Sequence, residues 1–334
     1  MREYLTQRID DPAAWSGPAI RDRQDWITNL SSDQADAIRT AVQAAKDSGR
    51  DLLDLGRDDF PIPALADVID GIHRELEGGR GFTVLRGLPI AEMSEDDAKT
   101  VLWGLGRHIG TPEPQDGAGN LLHSVRDTGA RVETTDNIRS FQTNDPQRFH
   151  NDGCDTFMLM CRQTAKSGGR SRLASAVQIF NDILAQRPDL AQVLQEDFHM
   201  DARGQRPDGV TIQVMPIYHW FAERLSINLK LRYIHTAQRF DEVPPLSPAQ
   251  KEAIALFEKV AEENVLEFDM QTGDVLIANN YTIIHGRTGF EDWPDPDQRR
   301  HMLRLWLTLP EGRPLPPVFE GSREFGASFA RRMI

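Results

Sequence analysis

The spacing of apolar residues changes character about a third of the way along the chain. Between residues 31 and 110 they recur every three to four positions, the period of a helix with one buried face. SSDQADAIRTAVQAAKDSG (31–49) opens on Ser and Asp and stops at Gly, IPALADVIDGIHRELEGG (62–79) repeats the pattern, and SEDDAKTVLWGLGRHIG (94–110) has an acidic first turn. The intervening GFTVLRGLP (81–89) reads as a strand.

From about residue 121 short strands take over: LLHSV, then TFMLMCRQTA (156–165) and RSRLASAV (170–177) around a KSGG turn. A helical stretch at 175–197 is broken before Pro188, and LSPAQKEAIALFEKVAEEN (246–264) is an amphipathic helix with Ser-Pro at its start. Strands resume with VLEFDM (265–270), GDVLIANN (273–280), YTIIHG (281–286) and RRHMLRLWLTL (299–309). Strands so far apart, without regular strand-helix alternation, predict a mainly β fold with flanking helices: an antiparallel sandwich or jelly-roll barrel. We expect one unit over 1–334, with a helix-rich part (1–110) packed on a barrel (121–310) that carries helical insertions near 175–197 and 246–264.

Composition narrows the function classes. With 38 basic against 51 acidic side chains, a net charge of −13 provides no positive field for nucleic acid or an anionic membrane, so any anion must be held by a few local arginines. No run reaches the roughly 18–20 apolar residues of a membrane span, and the N-terminus lacks an apolar stretch, so a cytoplasmic protein is expected. The only cysteines, Cys154 and Cys161, are too few for a disulfide framework and read as packed free thiols rather than half of a zinc site. Homo-oligomerisation is compatible with the sequence and not specified by it.

The chemistry is concentrated in three places. Phe149-His150-Asn151-Asp152-Gly153 sets an imidazole and a carboxylate two residues apart, which in an extended chain puts both on one face and within reach of one cation. A hydrogen-bonded pair would look the same. His285, at the end of an apolar strand before a glycine, is the best third ligand, though it also reads as a satisfied histidine at a turn. Two histidines and one carboxylate form the facial set that leaves three positions of an octahedral Fe(II) open. In 299–309, period two puts Arg300, Met302, Arg304, Trp306 and Thr308 opposite a leucine face, a mixture suited to a pocket wall with convergent charge. An arginine fork can hold a carboxylate there, or pair with one of the chain's many acids. Phe141, Gln142 and Asn144 before the H-x-D segment, and Asn279, Asn280 and Arg287 around His285, are candidate pocket residues or turn and ion-pair residues. Leu225-Ser226-Ile227 and Tyr233 are candidates for a covering loop.

In order along the chain, H-x-D, GG-x-S, a distal H-G and RR-x-M-x-R resemble the taurine dioxygenase and clavaminate synthase-like group of Fe(II)/2-oxoglutarate oxygenases over about residues 81–310. The resemblance implies a double-stranded β-helix core, iron ligated by His150, Asp152 and His285, and Arg300 paired with the distal carboxylate of 2-oxoglutarate. Ser171 falls where relatives commonly carry a threonine that assists at that carboxylate, and Arg304 matches a position that in some members meets an acidic group of the substrate. The implied reaction consumes O2 and hydroxylates an unactivated C–H bond of a small acidic or zwitterionic molecule, releasing succinate and CO2. Halogenation is disfavoured because Asp152 occupies the place where related halogenases bind chloride. The rival readings are a zinc hydrolase with the same ligands, for which no H-E-x-x-H helix supplies a base, and a non-catalytic jelly-roll binding protein.

Overall fold

A computed structural model describes residues 4–129, 143–203 and 209–322. Six helices fall where the apolar period placed them, α1 (Ser32–Asp47), α2 (Ala66–Gly78), α3 (Glu95–Ile109), α4 (Ala176–Gln186), α5 (Pro188–Val193) and α7 (Pro248–Glu263), while α6 (Leu231–Ala237) is a further short helix that the sequence pattern does not predict. Local chemistry sets their starts. Ser31 and Ser247 each form a capping box, with Gln34 and Gln250, and Ser175 and Ser94 accept from the backbone N–H three residues on. Pro188, which cannot continue α4, opens α5 at its first position.

The strands that build the core are β1 (Ile27–Asn29), β2 (Phe82–Arg86), β3 (Thr111–Pro112), β4 (Leu122–Val125), β5 (Gln147–His150), β6 (Thr156–Gln163), β7 (Ser171–Ser175), β8 (Leu266–Phe268), β9 (Val275–Asn279), β10 (Ile283–Arg287) and β11 (His301–Thr308). The larger sheet runs β1-β2-β9-β6-β11-β3, with β4 also on β11, and the smaller runs β8-β7-β10-β5. Consecutive strands β9 and β10 lie in different sheets. That exchange, repeated along the chain, gives the jelly roll.

Period two explains why this architecture closes. Along β11 every residue is buried, because the sheet is covered on both faces. Leu303, Leu305 and Leu307 pack with Met158, Met160, Val275 and Ile277 against α1 to α3, while Met302 and Trp306 point between the sheets toward Phe157, Leu173 and Ile283. A second helical layer, α4 and α7, covers the outer face of the smaller sheet through Phe180 and Phe257 against Ala174 and Ile284. Truncating a leucine such as Leu305 to Ala would cost about 3 kcal/mol.

Three local expectations need correction. Residues 198–227, left without strands by the sequence pattern, form two antiparallel hairpins, Phe198–Asp201 with Ile212–Met215 and Tyr218–Phe221 with Arg224–Ile227. Leu225-Ser226-Ile227 is therefore a buried hairpin strand and not a covering loop; Tyr233 sits on α6. The H-x-D segment is also not one extended run, for β5 ends at His150 and Asp152 lies beyond it. Among the described residues, no helix is long and apolar enough to cross a membrane.

Candidate metal centre

Strands β5 and β10 are antiparallel, and in their register His150 stands directly opposite His285. Directly paired residues share a face, so strand pairing alone brings together two imidazoles from distant parts of the chain; their ring centroids are 4.3 Å apart. The strands approach closely at Gly286, where a Cβ would meet the Gln147 carbonyl oxygen at 2.6 Å. The H-G pair is thus a candidate ligand followed by the residue that admits its partner strand.

Asp152 reaches the same point by a different route. Asn151 Nδ2 donates to the carbonyls of Asn280 (2.6 Å) and Ile283 (2.9 Å), and its Oδ1 accepts from Leu229 N (2.7 Å). These bonds pin the chain just past β5 to the β9–β10 turn. The Asp152 N–H donates to Asn280 Oδ1 (3.1 Å), whose amide nitrogen donates to the Cys154 carbonyl. The Asp152 carboxylate is thereby turned toward the histidines, with Oδ1 3.9 Å from His150 Nε2 and Oδ2 3.8 Å from His285 Nε2. Ligand atoms of the three side chains all lie within 4.8 Å of one another.

The electrostatics suit a cation. Burial lowers the pKa of His150, and that of His285 well below the usual range, so both rings are neutral near neutral pH. Burial pushes the Asp152 carboxyl upward, but the Arg304 charge leads the influences that outweigh it and hold the group well below the ordinary carboxylate range. His150 Nδ1 lies 3.0 Å from the Arg148 carbonyl, which turns Nε2 toward Asp152. His285 stacks on Phe157 at 4.2 Å. Donors sharing one ion at ~2.1 Å sit ~3 Å apart when adjacent, so ligation would draw these atoms together by about 1 Å. Two imidazoles and one carboxylate fit ferrous iron.

Arg300 directly precedes β11 and is 3% exposed, yet its Nη1 has no hydrogen-bond partner among the described residues. Its backbone N–H donates to Asp292 (2.8 Å), and its side chain packs over the Phe290 ring. Gly169, at φ +71°, leaves room for it, since a Cβ there would lie 3.1 Å from Arg300 Nε. A buried guanidinium with an unanswered N–H fits the distal carboxylate of an oxo acid. Ser171 is buried on β7, opposite Arg287 in the β7–β10 register.

The remaining residues separate by geometry. Arg304 packs against Asp152, with Nη1 3.3 Å from Oδ2, and donates through Nε to Gln115 (2.7 Å). Arg287 donates to the carbonyls of Thr143 (3.0 Å) and Asp145 (2.5 Å). The Asn280 amide is engaged in the Asp152 loop. Asn279 binds Leu76 O and Glu77, on the α2 side. Asn144 is exposed, Phe141 and Gln142 lie outside the described residues, and both cysteines are buried and free. Three residues at the site went unassigned from sequence: Asn151; Trp306 as a donor to Asp152; and Lys230, whose Nζ donates to the Asn151 carbonyl at 2.5 Å. Asn151 sits inside the motif, where three shared bonds to distant backbone leave no trace in one sequence.

Residues 46–306 match the model of the taurine catabolism dioxygenase TauD, TfdA family. The chain belongs to that family. Within it, the chain is similar to FR-33289 synthase of Streptomyces rubellomurinus, 29% identical over 95% of both chains. It is also similar to uridine-5'-phosphate dioxygenase of a Streptomyces species, 26% identical over 70% of this chain and 88% of the relative. Among solved structures, asparagine oxygenase in complex with Fe(II), 2S,3S-3-hydroxyasparagine and succinate superimposes with a TM-score of 0.66 at 18% identity, over 85% of this chain and 94% of the other. This TauD/TfdA-family protein is an Fe(II)/2-oxoglutarate-dependent dioxygenase on a jelly-roll core.

Proposed function

We propose that His150, Asp152 and His285 hold the ferrous iron, that Arg300 with Ser171 receives the distal carboxylate of 2-oxoglutarate, and that the enzyme hydroxylates an unactivated C–H bond of a small acidic or zwitterionic molecule. The observation that carries this reading is the convergence of those three donors within 4.8 Å, the one candidate cation cluster among the described residues. When bound, the iron supplies O2 activation, and the oxo acid the electrons, leaving as succinate and CO2. The chain's own part is geometric and electrostatic. Three protein donors leave half of an octahedron for the oxo acid and one further ligand. Met302, Trp306, Phe157 and Leu173 wall the interior against bulk water, which favours oxidation of the substrate over side reactions.

Two buried cations favour a negatively charged substrate. Arg304 lies beside Asp152, and Lys230 is placed at Asn151, next to that same carboxylate residue. The relative that acts on uridine-5'-phosphate and the neighbour holding hydroxyasparagine both handle small charged molecules. A net charge of −13 gives the chain no global positive field to attract nucleic acid, which favours a diffusible metabolite as the substrate.

The test is an O2-dependent assay with iron and 2-oxoglutarate across nucleoside monophosphates, amino acids, carboxylic acids and neutral analogues. Succinate formation stimulated by charged members, with one oxygen atom added to the stimulating compound, is expected. Turnover confined to neutral compounds, or equal with and without iron, would contradict it.

A further inference from the structure

Arg300 is not the only buried guanidinium beside Phe290. Arg287 Cζ lies 4.5 Å from that ring's centroid and Arg300 Cζ 5.2 Å, and the two residues are 6% and 3% exposed. Each also carries a buried nitrogen without a partner among the described residues, Nε of Arg287 and Nη1 of Arg300. Arg287 Nη2 is used on the Thr143 and Asp145 carbonyls, and no carboxylate among the described residues hydrogen-bonds either guanidinium. The nearest acids contribute field only: Asp292 accepts from the Arg300 backbone, while Asp127 and Asp145 act on Arg287 from a distance.

Two like charges so enclosed are costly unless an anion lies between them. Strand register places Arg287 opposite Ser171, and successive inward positions on β10 are His285 and Arg287. Arg287 therefore stands one inward position from a metal ligand and beside the hydroxyl assigned to the oxo acid.

We propose that Arg287 is a second cation of the 2-oxoglutarate site, sharing the distal carboxylate with Arg300, and is not a contact to the primary substrate. This rests on the reading of the metal centre given above. Its consequence is selectivity among oxo acids: Arg287 should discriminate a five-carbon diacid from an equally long monoacid, because only the diacid answers both unpaired N–H groups.

The experiment uses the full chain, loaded with Fe(II) under anaerobic conditions and titrated with 2-oxoglutarate or 2-oxovalerate, binding being followed by the absorption of the iron–oxo acid chelate. Losing one charge-assisted hydrogen bond in a buried site should weaken 2-oxoglutarate about tenfold to a hundredfold in R287Q. Affinity for 2-oxovalerate should stay within about twofold. If Arg287 serves only to hold the 143–145 segment, both acids weaken together, and that result, or no change in either, overturns the proposal. Should R287Q fail to fold, R287K is read the same way: a narrowed gap between the two acids supports the proposal, and an unchanged gap overturns it. A wild-type protein that forms no chelate with either acid overturns the metal-centre reading and this inference with it, an outcome separable from failure in R287Q alone.

Discussion

Trp306 donates its indole N–H to Asp152 Oδ2 at 2.9 Å, and the Arg304 guanidinium lies over the same indole at 5.0 Å. The carboxylate oxygen is thus held by a neutral donor and a cation from one strand, β11, whose register against β6 fixes both. Partners of this kind orient metal ligands and tune their basicity.

Trp306→Phe keeps the aromatic packing and removes the donor. We expect an iron affinity about 10-fold to 100-fold weaker, with 2-oxoglutarate affinity at saturating iron changed by less. Equilibrium dialysis of Fe(II), alongside an oxo-acid titration at saturating iron, separates the two. Unchanged iron affinity would leave the indole as packing alone.

Asn151→Ala removes three side-chain hydrogen bonds in a fully buried knot, leaving one backbone donor and two carbonyls unanswered. At about 1–1.5 kcal/mol each, the expected cost is about 3–4 kcal/mol. Urea denaturation of the iron-free protein measures this. Asp152 should lose its orientation as well, so the variant that still folds should bind iron poorly.

Acid sensitivity of the iron-free protein follows from the histidines. Burial lowers His150 and His285, and pushes His301 down to about 4. The unfolded chain takes up protons on these rings at about 6.5 while the folded chain refuses them, so stability is intact above that pH and falls as pH drops below it. Asp152 works in the same direction at lower pH: its depressed folded value makes it stabilising above the usual carboxylate range, a contribution lost on further acidification. Thermal midpoints should hold steady from about pH 8 to about pH 7 and decline toward about pH 5. A midpoint rising over that lower range would contradict the assignment.

What the sequence made legible follows physical locality. Helices α1 to α3 and α7 were readable because caps and apolar period are local, and β11 because one face is continuously leucine. The donor set was readable because the H-x-D pair, the H-G pair and the arginine-rich strand each keep a short signature. The hairpins of residues 198–227 were not, since Val214 and Phe221 stay exposed and the apolar alternation is weak. Nor was the route by which Asp152 reaches the histidines. The sequence pattern suggested one extended H-x-D strand, whereas the chain turns after His150 and is held by Asn151 against Leu229, Asn280 and Ile283, partners at least 78 residues away. Long-range hydrogen bonds of a single polar side chain carry no periodicity to read.

The central claim is that one ferrous ion is held jointly by His150, Asp152 and His285. Bound iron per chain, measured after anaerobic loading and gel filtration for the wild type and for H150A, D152A and H285A, tests it most directly. We predict close to one iron in the wild type and little retained in each variant, all four chains remaining folded. A variant that keeps the wild-type complement, with the oxo-acid chelate absorption intact, would contradict the account.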